Sequence, residues 1–103
     1  MELGVIGLGR MGANMAARLL DGGHRVVGYD LKRGAIRRAT ERGATGAYSM
    51  KSLVHELRSP RVIWLAVPAG EPVDQTIQGL SPYLEPGDIV IDGGNSYYKD
   101  TLR

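Results

Sequence analysis

Apolar runs alternate along the chain with segments whose apolar residues recur at helical spacing. The runs that predict strands lie at 3–6, 26–29, 44–48, 62–67 and 89–91. The segments that predict helices lie at 11–20, 32–42, 53–57 and 73–84, with a last helix beginning at Tyr97. Strands and helices that alternate across short loops are typical of a parallel sheet covered by helices. We therefore expect an α/β domain with a doubly wound parallel sheet, truncated after about its fifth strand.

The run VIWLAV at 62–67 is the most apolar of these segments. A continuous apolar run predicts a central strand that is buried on both faces, with Trp64 packed in the core. Pro72 suits the first turn of the helix that follows. His24 and His55 have no carboxylate or serine at a suggestive spacing, and we expect both on the surface.

Composition narrows the class of protein. The chain has 103 residues, enough for one domain, and a net charge of +2 that does not favour nucleic acid as a partner. It has no cysteine, which excludes disulfides and thiolate metal sites. Neither a signal peptide nor an apolar run of roughly 20 residues is present, so we expect a cytoplasmic domain without a membrane partner.

Three glycines lie between the first predicted strand and the helix that follows it. Gly7, Gly9 and Gly12 form the pattern G-x-G-x-x-G, and Asp30 closes the second strand 23 residues after Gly7. In the Rossmann-like form of the doubly wound fold, the first glycine permits a tight turn, the second lets backbone approach a pyrophosphate, and the third lets helix and strand pack closely. The acid accepts a hydrogen bond from a ribose hydroxyl. The alternative is a glycine-rich turn that binds nothing.

Asp30 also bears on the choice of cofactor. A carboxylate accepts hydrogen bonds from the free 2′-hydroxyl of NAD, but repels the 2′-phosphate of NADP by roughly 4 kcal/mol at about 4 Å and an effective dielectric near 20. Lys32 and Arg33 could offset that repulsion, so we expect NAD and leave NADP open. The other basic residues of the segment predict a solvated face: Arg37, Arg38 and Arg42.

The segment DGGNSYYKD at 92–100 follows the last predicted strand. Ligands bind at the carboxyl ends of the strands in open parallel sheets, and Asn95 offers one acceptor and two donors without charge. The alternative is that Asn95 or Ser96 caps the helix that begins at Tyr97. Both roles are compatible.

The segments GLGRMGANMA, LAVPAGEPVD and PGDIVIDGGNSYYKDTLR carry a resemblance. They are similar to the amino-terminal dinucleotide domain of the decarboxylating 6-phosphogluconate dehydrogenase family, over nearly the whole chain. The resemblance implies a pyrophosphate site at Gly7, Leu8, Gly9, Arg10, Met11 and Gly12. It implies an adenosine ribose site at Asp30, Leu31 and Lys32. It further implies that Val67, Pro68 and Ala69 line the cofactor, and that Asn95 contacts both nicotinamide and the sugar phosphate substrate.

Two departures from the family pattern matter. Many members carry Asn-Arg-Thr after the second strand and use NADP, whereas this chain has Asp30-Leu31-Lys32 and resembles the NAD-preferring branch. The family's lysine base, glutamate acid and large helical domain have no counterpart in this sequence, so no catalytic residue is assigned here. The resemblance implies oxidative decarboxylation of 6-phosphogluconate to ribulose 5-phosphate by a longer, homo-oligomeric parent.

Two alternative functions stay open. Dehydrogenases of the 3-hydroxyisobutyrate type share the glycine loop but usually show Asp-x-Ser-Thr where this chain has DGGNS. A stand-alone NAD-binding or redox-sensing module would bind the cofactor without turnover. In each case residues 1–103 are expected to form one NAD(P)-binding domain.

Overall fold

The computed structural model describes residues 1–68 and 70–93, and these residues form a five-stranded sheet with four helices. The strands are β1 (Glu2–Ile6), β2 (Arg25–Tyr29), β3 (Thr45–Gly46), β4 (Val62–Leu65) and β5 (Ile89–Asp92). The helices are α1 (Arg10–Asp21), α2 (Arg33–Glu41), α3 (Met50–Glu56) and α4 (Glu71–Leu80), with a 3-10 turn at Ser81–Tyr83. The helix predicted from Tyr97 lies outside the described residues.

The strand order is β3-β2-β1-β4-β5, and every neighbouring pair is parallel. This is the order 3-2-1-4-5 of a Rossmann-like sheet, and the predicted fold class is confirmed. The chain moves outward from β1 to β3, returns past β1, and then moves outward again through β4 and β5. The strand order therefore reverses between β1 and β4, and in such sheets a crevice opens at that point beyond the carboxyl ends of the strands.

Alternate residues of the central strands supply two separate cores. Val5 of β1 and Val26 of β2 pack with Ala16 of α1 and Ile36 of α2 on one face. Their neighbours face the opposite core, beneath α3 and α4, which contains Ile6, Val27, Leu53, Val54, Ile63, Leu65, Val73, Leu80 and Val90. The period of two is that of a strand covered on both faces, which explains why these segments are almost wholly apolar.

Strand β4 is shorter and less buried than predicted. It ends at Leu65, and its residues alternate between half-buried and buried, with Ile63 and Leu65 fully enclosed. Trp64 is half-buried and lies against Gly93, where the indole ring occupies the space that a β-carbon would need. The expectation of burial on both faces, with Trp64 in the core, is therefore wrong for the half-buried positions.

Helix α4 also ends earlier than the apolar spacing predicts. The spacing extends to Leu84, but the helix stops at Leu80 and the chain continues as a 3-10 turn that contains Pro82. A proline ring lacks the N–H of the next helical bond and clashes with the carbonyl one turn earlier, so the α-helix ends before it. Pro72 lies in the first turn, as predicted.

The amino ends of the strands are tied together by charged groups. Arg25 forms ion pairs with Glu2 of β1 and with Glu56 of α3. Between β4 and β5, the carboxylate of Asp88 accepts hydrogen bonds from the backbone N–H of Arg61 at 2.7 Å and from its guanidinium at 3.1 Å. A third bond comes from the backbone N–H of Glu85 at 2.8 Å. This edge of the sheet lies opposite the crevice.

Candidate functional site

The glycine-rich loop leaves β1 between the ends of β2 and β4. Gly7 has φ +96°, which favours glycine, and its N–H donates to the carbonyl of Tyr29 at 2.9 Å. A β-carbon at Gly7 would collide with the carbonyl oxygen of Ala66, just beyond β4. The first glycine of the motif is therefore required by the fold itself, and it makes the tight turn that the sequence predicts.

Gly12 is also required by packing. It is buried in the first turn of α1, where a β-carbon would overlap the carbonyl of Gly7 and come within 3.2 Å of the Ala66 β-carbon. The absence of a side chain lets α1 start close to the ends of β1 and β4. The predicted close packing of helix and strand is present at this position.

Gly9 differs from the other two glycines of the motif. Its φ of −71° suits any residue, and a β-carbon built on it meets nothing within 4 Å. It is the N-cap of α1, and the helix begins without a side-chain cap and without an acidic residue in its first turn. The first N–H groups of a helix lack partners within the helix and attract anions. Neither the backbone nor the core requires a glycine here.

Asp30 follows β2 directly and faces the glycine-rich loop. One carboxylate oxygen accepts a hydrogen bond from the backbone N–H of Leu8 at 2.6 Å, and the other accepts one from the backbone N–H of Lys32 at 2.8 Å. Each carboxylate oxygen has about two acceptor positions, so the group keeps capacity for further donors. The carboxylate thus lies at the same edge of the sheet as the start of α1.

A recess of about 530 Å³ opens at the carboxyl ends of β1, β2 and β4. Its surface is mainly apolar, and the chain segments that follow the three strands supply most of it. Six of the residues assigned to the cofactor by resemblance line it: Gly7, Gly9, Asp30, Leu31, Val67 and Pro68. Leu31 stands at the rim with 87% of its surface exposed. The structure therefore brings together residues that lie up to 61 positions apart in the sequence.

The remaining assigned residues lie around the recess or outside the described part of the chain. Leu8 and Gly12 are buried beneath the loop, whereas Arg10 and Met11 are exposed on the first turn of α1. Lys32 is exposed at the N-cap of α2. The two residues outside the described ranges are Ala69 and Asn95.

Sequence reasoning missed one wall of the recess. Met50, Pro72, Gln75 and Thr76 line it, and none of them was assigned to the site. Pro72, Gln75 and Thr76 share one face of α4 at positions i, i+3 and i+4. Because a helix that follows a parallel strand starts at the carboxyl edge of the sheet, the first turns of α3 and α4 had to face this crevice. That topological rule was the available signal.

The basic residues of α2 and its C-cap do not line the recess. The outer residues of this segment are exposed, as the sequence predicts: Arg37, Arg38 and Arg42. The guanidinium of Arg33 lies 5.4 Å from the ring centre of Tyr48, in a cation-π contact. Arg33 is therefore engaged with the loop after β3. Of the two cations that could offset Asp30, Lys32 is the one whose backbone bonds directly to it.

Within residues 1–68 and 70–93, no cluster of histidine, aspartate and glutamate side chains is arranged to hold a metal ion. Nor does any helix in that part of the chain combine the length and the apolar character that a membrane crossing needs.

Curated relatives match the chain over its whole length. The NAD(+)-dependent, decarboxylating 6-phosphogluconate dehydrogenase of Haloferax volcanii is 48% identical over 103 residues, which cover 100% of this chain and 34% of that protein. The enzyme of the same name from Bacillus subtilis is 44% identical over 99% of this chain and 23% of its own length. The chain thus spans about a third or less of these relatives.

Solved structures share the fold. The 3-hydroxyisobutyrate dehydrogenase of Mycobacterium tuberculosis is 30% identical, with a TM-score of 0.81 over 90% of this chain and 31% of that one. The imine reductase of Streptomyces aurantiacus has a TM-score of 0.79 over 93% of this chain and 32% of its own, at 22% identity, which shows the fold alone.

The family model described as the NAD binding domain of 6-phosphogluconate dehydrogenase matches residues 2–103. That match covers nearly the entire chain, in agreement with the resemblance in its glycine-rich and DGGNS segments. The chain belongs to the family of NAD-binding domains of 6-phosphogluconate dehydrogenase.

Proposed function

We propose that residues 1–103 form the dinucleotide-binding domain of a 6-phosphogluconate dehydrogenase that uses NAD. The bound cofactor would accept a hydride from the C3 carbon of the substrate while the C3 hydroxyl loses its proton, and carbon dioxide would then leave the resulting β-keto acid to give ribulose 5-phosphate. The work of this domain is to hold and orient the cofactor. Family membership and the identities of 48% and 44% to NAD(+)-dependent relatives support the proposal.

Gly9 is the observation that carries the proposal. Its backbone conformation is ordinary and the space around its missing side chain is empty, so folding alone does not account for a glycine at this position. A ligand that approaches the backbone closely does account for it. The empty space opens on the recess beside the uncapped start of α1, where a pyrophosphate would accept hydrogen bonds from Gly9, Arg10 and Met11.

We propose the remaining roles from the family resemblance, and the positions of the described residues support them. The carboxylate of Asp30 would accept hydrogen bonds from the hydroxyls of the adenosine ribose, next to Leu31 and Lys32. The apolar recess, lined by Leu31 and by residues from the first turns of α3 and α4, would hold the adenine base. Val67 and Pro68 line the recess and would contact the cofactor. The family resemblance assigns Ala69 to the same lining and implies that Asn95 would contact the nicotinamide and the sugar phosphate.

The negative charge of Asp30 favours NAD over NADP. A 2′-phosphate would approach a carboxylate that already faces the binding edge, whereas Arg33 lies against Tyr48. The repulsion of two like charges is reduced by solvent, and a tenfold preference corresponds to about 1.4 kcal/mol.

We propose that substrate turnover belongs to the longer parent protein. A lysine base and a glutamate acid of the family type are not found at matching motifs in this chain, so residues outside it would move the proton of the C3 hydroxyl. We further propose a cytoplasmic, homo-oligomeric parent that acts on a sugar phosphate. The family resemblance favours the assembly and the substrate class, and the cysteine-free composition agrees with a reducing compartment.

Binding of NAD to the isolated chain tests the cofactor role. A ligand that binds only the folded state stabilises it by about 2.7 kcal/mol at 100 times its Kd, so millimolar NAD should raise the melting temperature visibly. The same chain should not oxidise 6-phosphogluconate. A folded chain whose melting temperature does not change with NAD would contradict the cofactor role. Turnover of 6-phosphogluconate by the isolated chain would contradict the proposal that the catalytic residues lie outside it.

The structural neighbour among 3-hydroxyisobutyrate dehydrogenases favours a second candidate substrate. That protein is a related family member, and the DGGNS segment of this chain resembles the 6-phosphogluconate branch more closely. An assay of the parent with NAD and each of the two substrates separates the candidates. A higher kcat/KM for 3-hydroxyisobutyrate would reject the sugar phosphate. A stand-alone sensor would turn over neither.

A further inference from the structure

We infer that Asp30 is a positioning residue for the glycine-rich loop, in addition to the ribose contact proposed above. On this view the carboxylate fixes the loop in the conformation that receives a pyrophosphate, before any cofactor is bound. The inference rests on the proposed function for its ligand, but its structural basis is independent of it.

The loop is attached to the end of β2 at successive residues. The N–H of Gly7 donates to the carbonyl of Tyr29 at 2.9 Å, as part of the backbone pattern. The N–H of the next residue, Leu8, donates to the side chain of Asp30 at 2.6 Å, one residue past the end of β2. Asp30 therefore extends the attachment of the loop by one residue beyond the end of the ladder.

Leu8 is held by both its side chain and its backbone. Its side chain is buried against Gly28 of β2, where a β-carbon would lie 3.1 Å from the leucine Cδ1. Its N–H donates to the Asp30 carboxylate. A residue fixed by both its side chain and its amide sets the direction in which the next residue, Gly9, leaves the loop.

The second carboxylate oxygen of Asp30 is also engaged. It accepts the N–H of Lys32, the N-cap of α2, at 2.8 Å. The carboxylate thus bridges the loop that precedes α1 and the turn that precedes α2. Because the two oxygens serve two different segments, one substitution at this position loosens both sides of the cofactor site.

Because of this bridge, Asp30 would affect both the preference for NAD over NADP and the affinity of the loop for the pyrophosphate. If Asp30 acted on the ribose alone, removal of its charge would leave pyrophosphate affinity unchanged or increase it, because one negative charge would be gone from the anion site. If Asp30 positions the loop, the same substitution lowers pyrophosphate affinity. The two roles therefore predict effects of opposite sign on a ligand that has no ribose.

The experiment compares Asp30→Ala and Asp30→Asn with the wild-type chain. The probe is inorganic pyrophosphate, titrated at about 0.15 M salt and followed by amide NMR shifts of the loop. We expect the Kd to rise about tenfold in Asp30→Ala and less in Asp30→Asn, which keeps one acceptor oxygen. Exchange of the Leu8 amide hydrogen should accelerate in the same order. Asp21→Ala removes an equal charge from the exposed far end of α1 and should change neither quantity.

Two outcomes would overturn the inference. One is an unchanged or tighter pyrophosphate Kd in both Asp30 variants, and the other is unchanged exchange at Leu8. If Asp30→Ala does not fold, Asp30→Asn decides alone by the same two measurements. If the wild-type chain does not bind NAD but Asp30→Ala still weakens pyrophosphate binding, the proposed function is rejected and the positioning role is supported. If Asp30→Ala weakens NAD binding but leaves pyrophosphate binding unaltered, the positioning role is rejected and the proposed function is supported.

Discussion

The two edges of the sheet are built in opposite ways. At the carboxyl edge, β1, β2 and β4 end around an apolar recess, and the helix N-terminus above it has no side-chain cap. At the amino edge, charged side chains bridge neighbouring strands and satisfy one another. The difference indicates that one edge is closed for stability, while the other leaves its donors available to a ligand.

The amino edge itself contains a strong bridge and a weak one. The side chain of Asp88 is 1% exposed and that of its partner Arg61 is 12% exposed, so their interaction is poorly screened by water. Arg25 and Glu56 are 43% and 46% exposed, and exposed pairs of this kind contribute about 0–1 kcal/mol. Burial, and not the number of charges, determines which bridge holds the edge together.

The largest expected effect is at the carboxyl edge. Gly9→Val should lower NAD affinity at least about 100-fold, or roughly 2.7 kcal/mol, because the side chain fills the space proposed for the pyrophosphate. Its melting temperature without NAD should change little, since the position is open. Calorimetric titration with NAD measures the first effect. Gly34→Val, on the exposed side of α2, is the matched control and should keep its affinity.

The next largest effect is a loss of stability at the amino edge that leaves NAD affinity unchanged. Asp88→Ala should lower the free energy of unfolding by about 2–3 kcal/mol, because it removes three hydrogen bonds and leaves the largely buried Arg61 paired only with the exposed carboxylate of Glu85 among the described acidic residues. Urea denaturation measures the loss. Glu85→Ala, which removes a 59% exposed partner of the same arginine, should cost under about 1 kcal/mol. A weakened NAD affinity in Asp88→Ala would contradict the separation of the two edges.

Acid should weaken the amino edge first. Burial raises the pKa of the Asp88 carboxyl, but the backbone N–H groups of Arg61 and Glu85 and the Arg61 guanidinium outweigh burial and leave that pKa lowered. The backbone N–H of Arg58 and the Arg25 side chain, partly opposed by burial, lower the pKa of Glu2.

A carboxyl group whose pKa is lower in the folded state stabilises the fold above its unfolded pKa, and that contribution is lost as the pH falls through the folded pKa. Stability should therefore be constant near neutral pH and fall below about pH 4. Urea midpoints from pH 7 to pH 2.5 test this. Asp88→Asn should flatten the acid limb, and an equally steep limb in that variant would assign the acid sensitivity to other carboxyl groups.

The smallest expected effect concerns the cofactor. The parent should prefer NAD to NADP by at least about tenfold, roughly 1.4 kcal/mol, because of the carboxylate of Asp30. Ratios of kcat/KM with the two cofactors measure the preference. Asp30→Asn should narrow the gap, whereas Asp21→Asn should leave it unchanged. A wild-type preference for NADP would reject the argument from charge.

Much of the fold was predictable because its signals are local. Helix α2 was predicted at 32–42 and spans Arg33–Glu41, and the stop of α1 before Gly22 follows from the glycine pair. Such boundaries depend on periodicity and on residues with special backbone conformations. The early end of α4 is also a local effect, because Pro82 interrupts the helix although the apolar spacing continues to Leu84.

Packing between segments that are distant in the sequence was harder to predict. The expectation that His24 lies on the surface is wrong: it is half-buried, and its Nδ1 is enclosed without a hydrogen-bond partner among the described residues. The environment of Trp64 depends on its contact with Gly93, 29 positions away, which no local pattern predicts. In the site, the glycines and Asp30 belong to a recognisable sequence motif. Met50 and Thr76 belong to no motif, and their position in the recess follows only from the order of the strands.

The exposed Leu31 at the rim of the recess should give cofactor binding a measurable change in heat capacity. Leu31 leaves 87% of its surface in water beside the mainly apolar recess, and a seated adenine would cover both. Removal of apolar surface from water lowers the heat capacity of the complex. The enthalpy of NAD binding should therefore become more favourable with rising temperature, and Leu31→Ser should make that slope shallower even where the change in affinity is small.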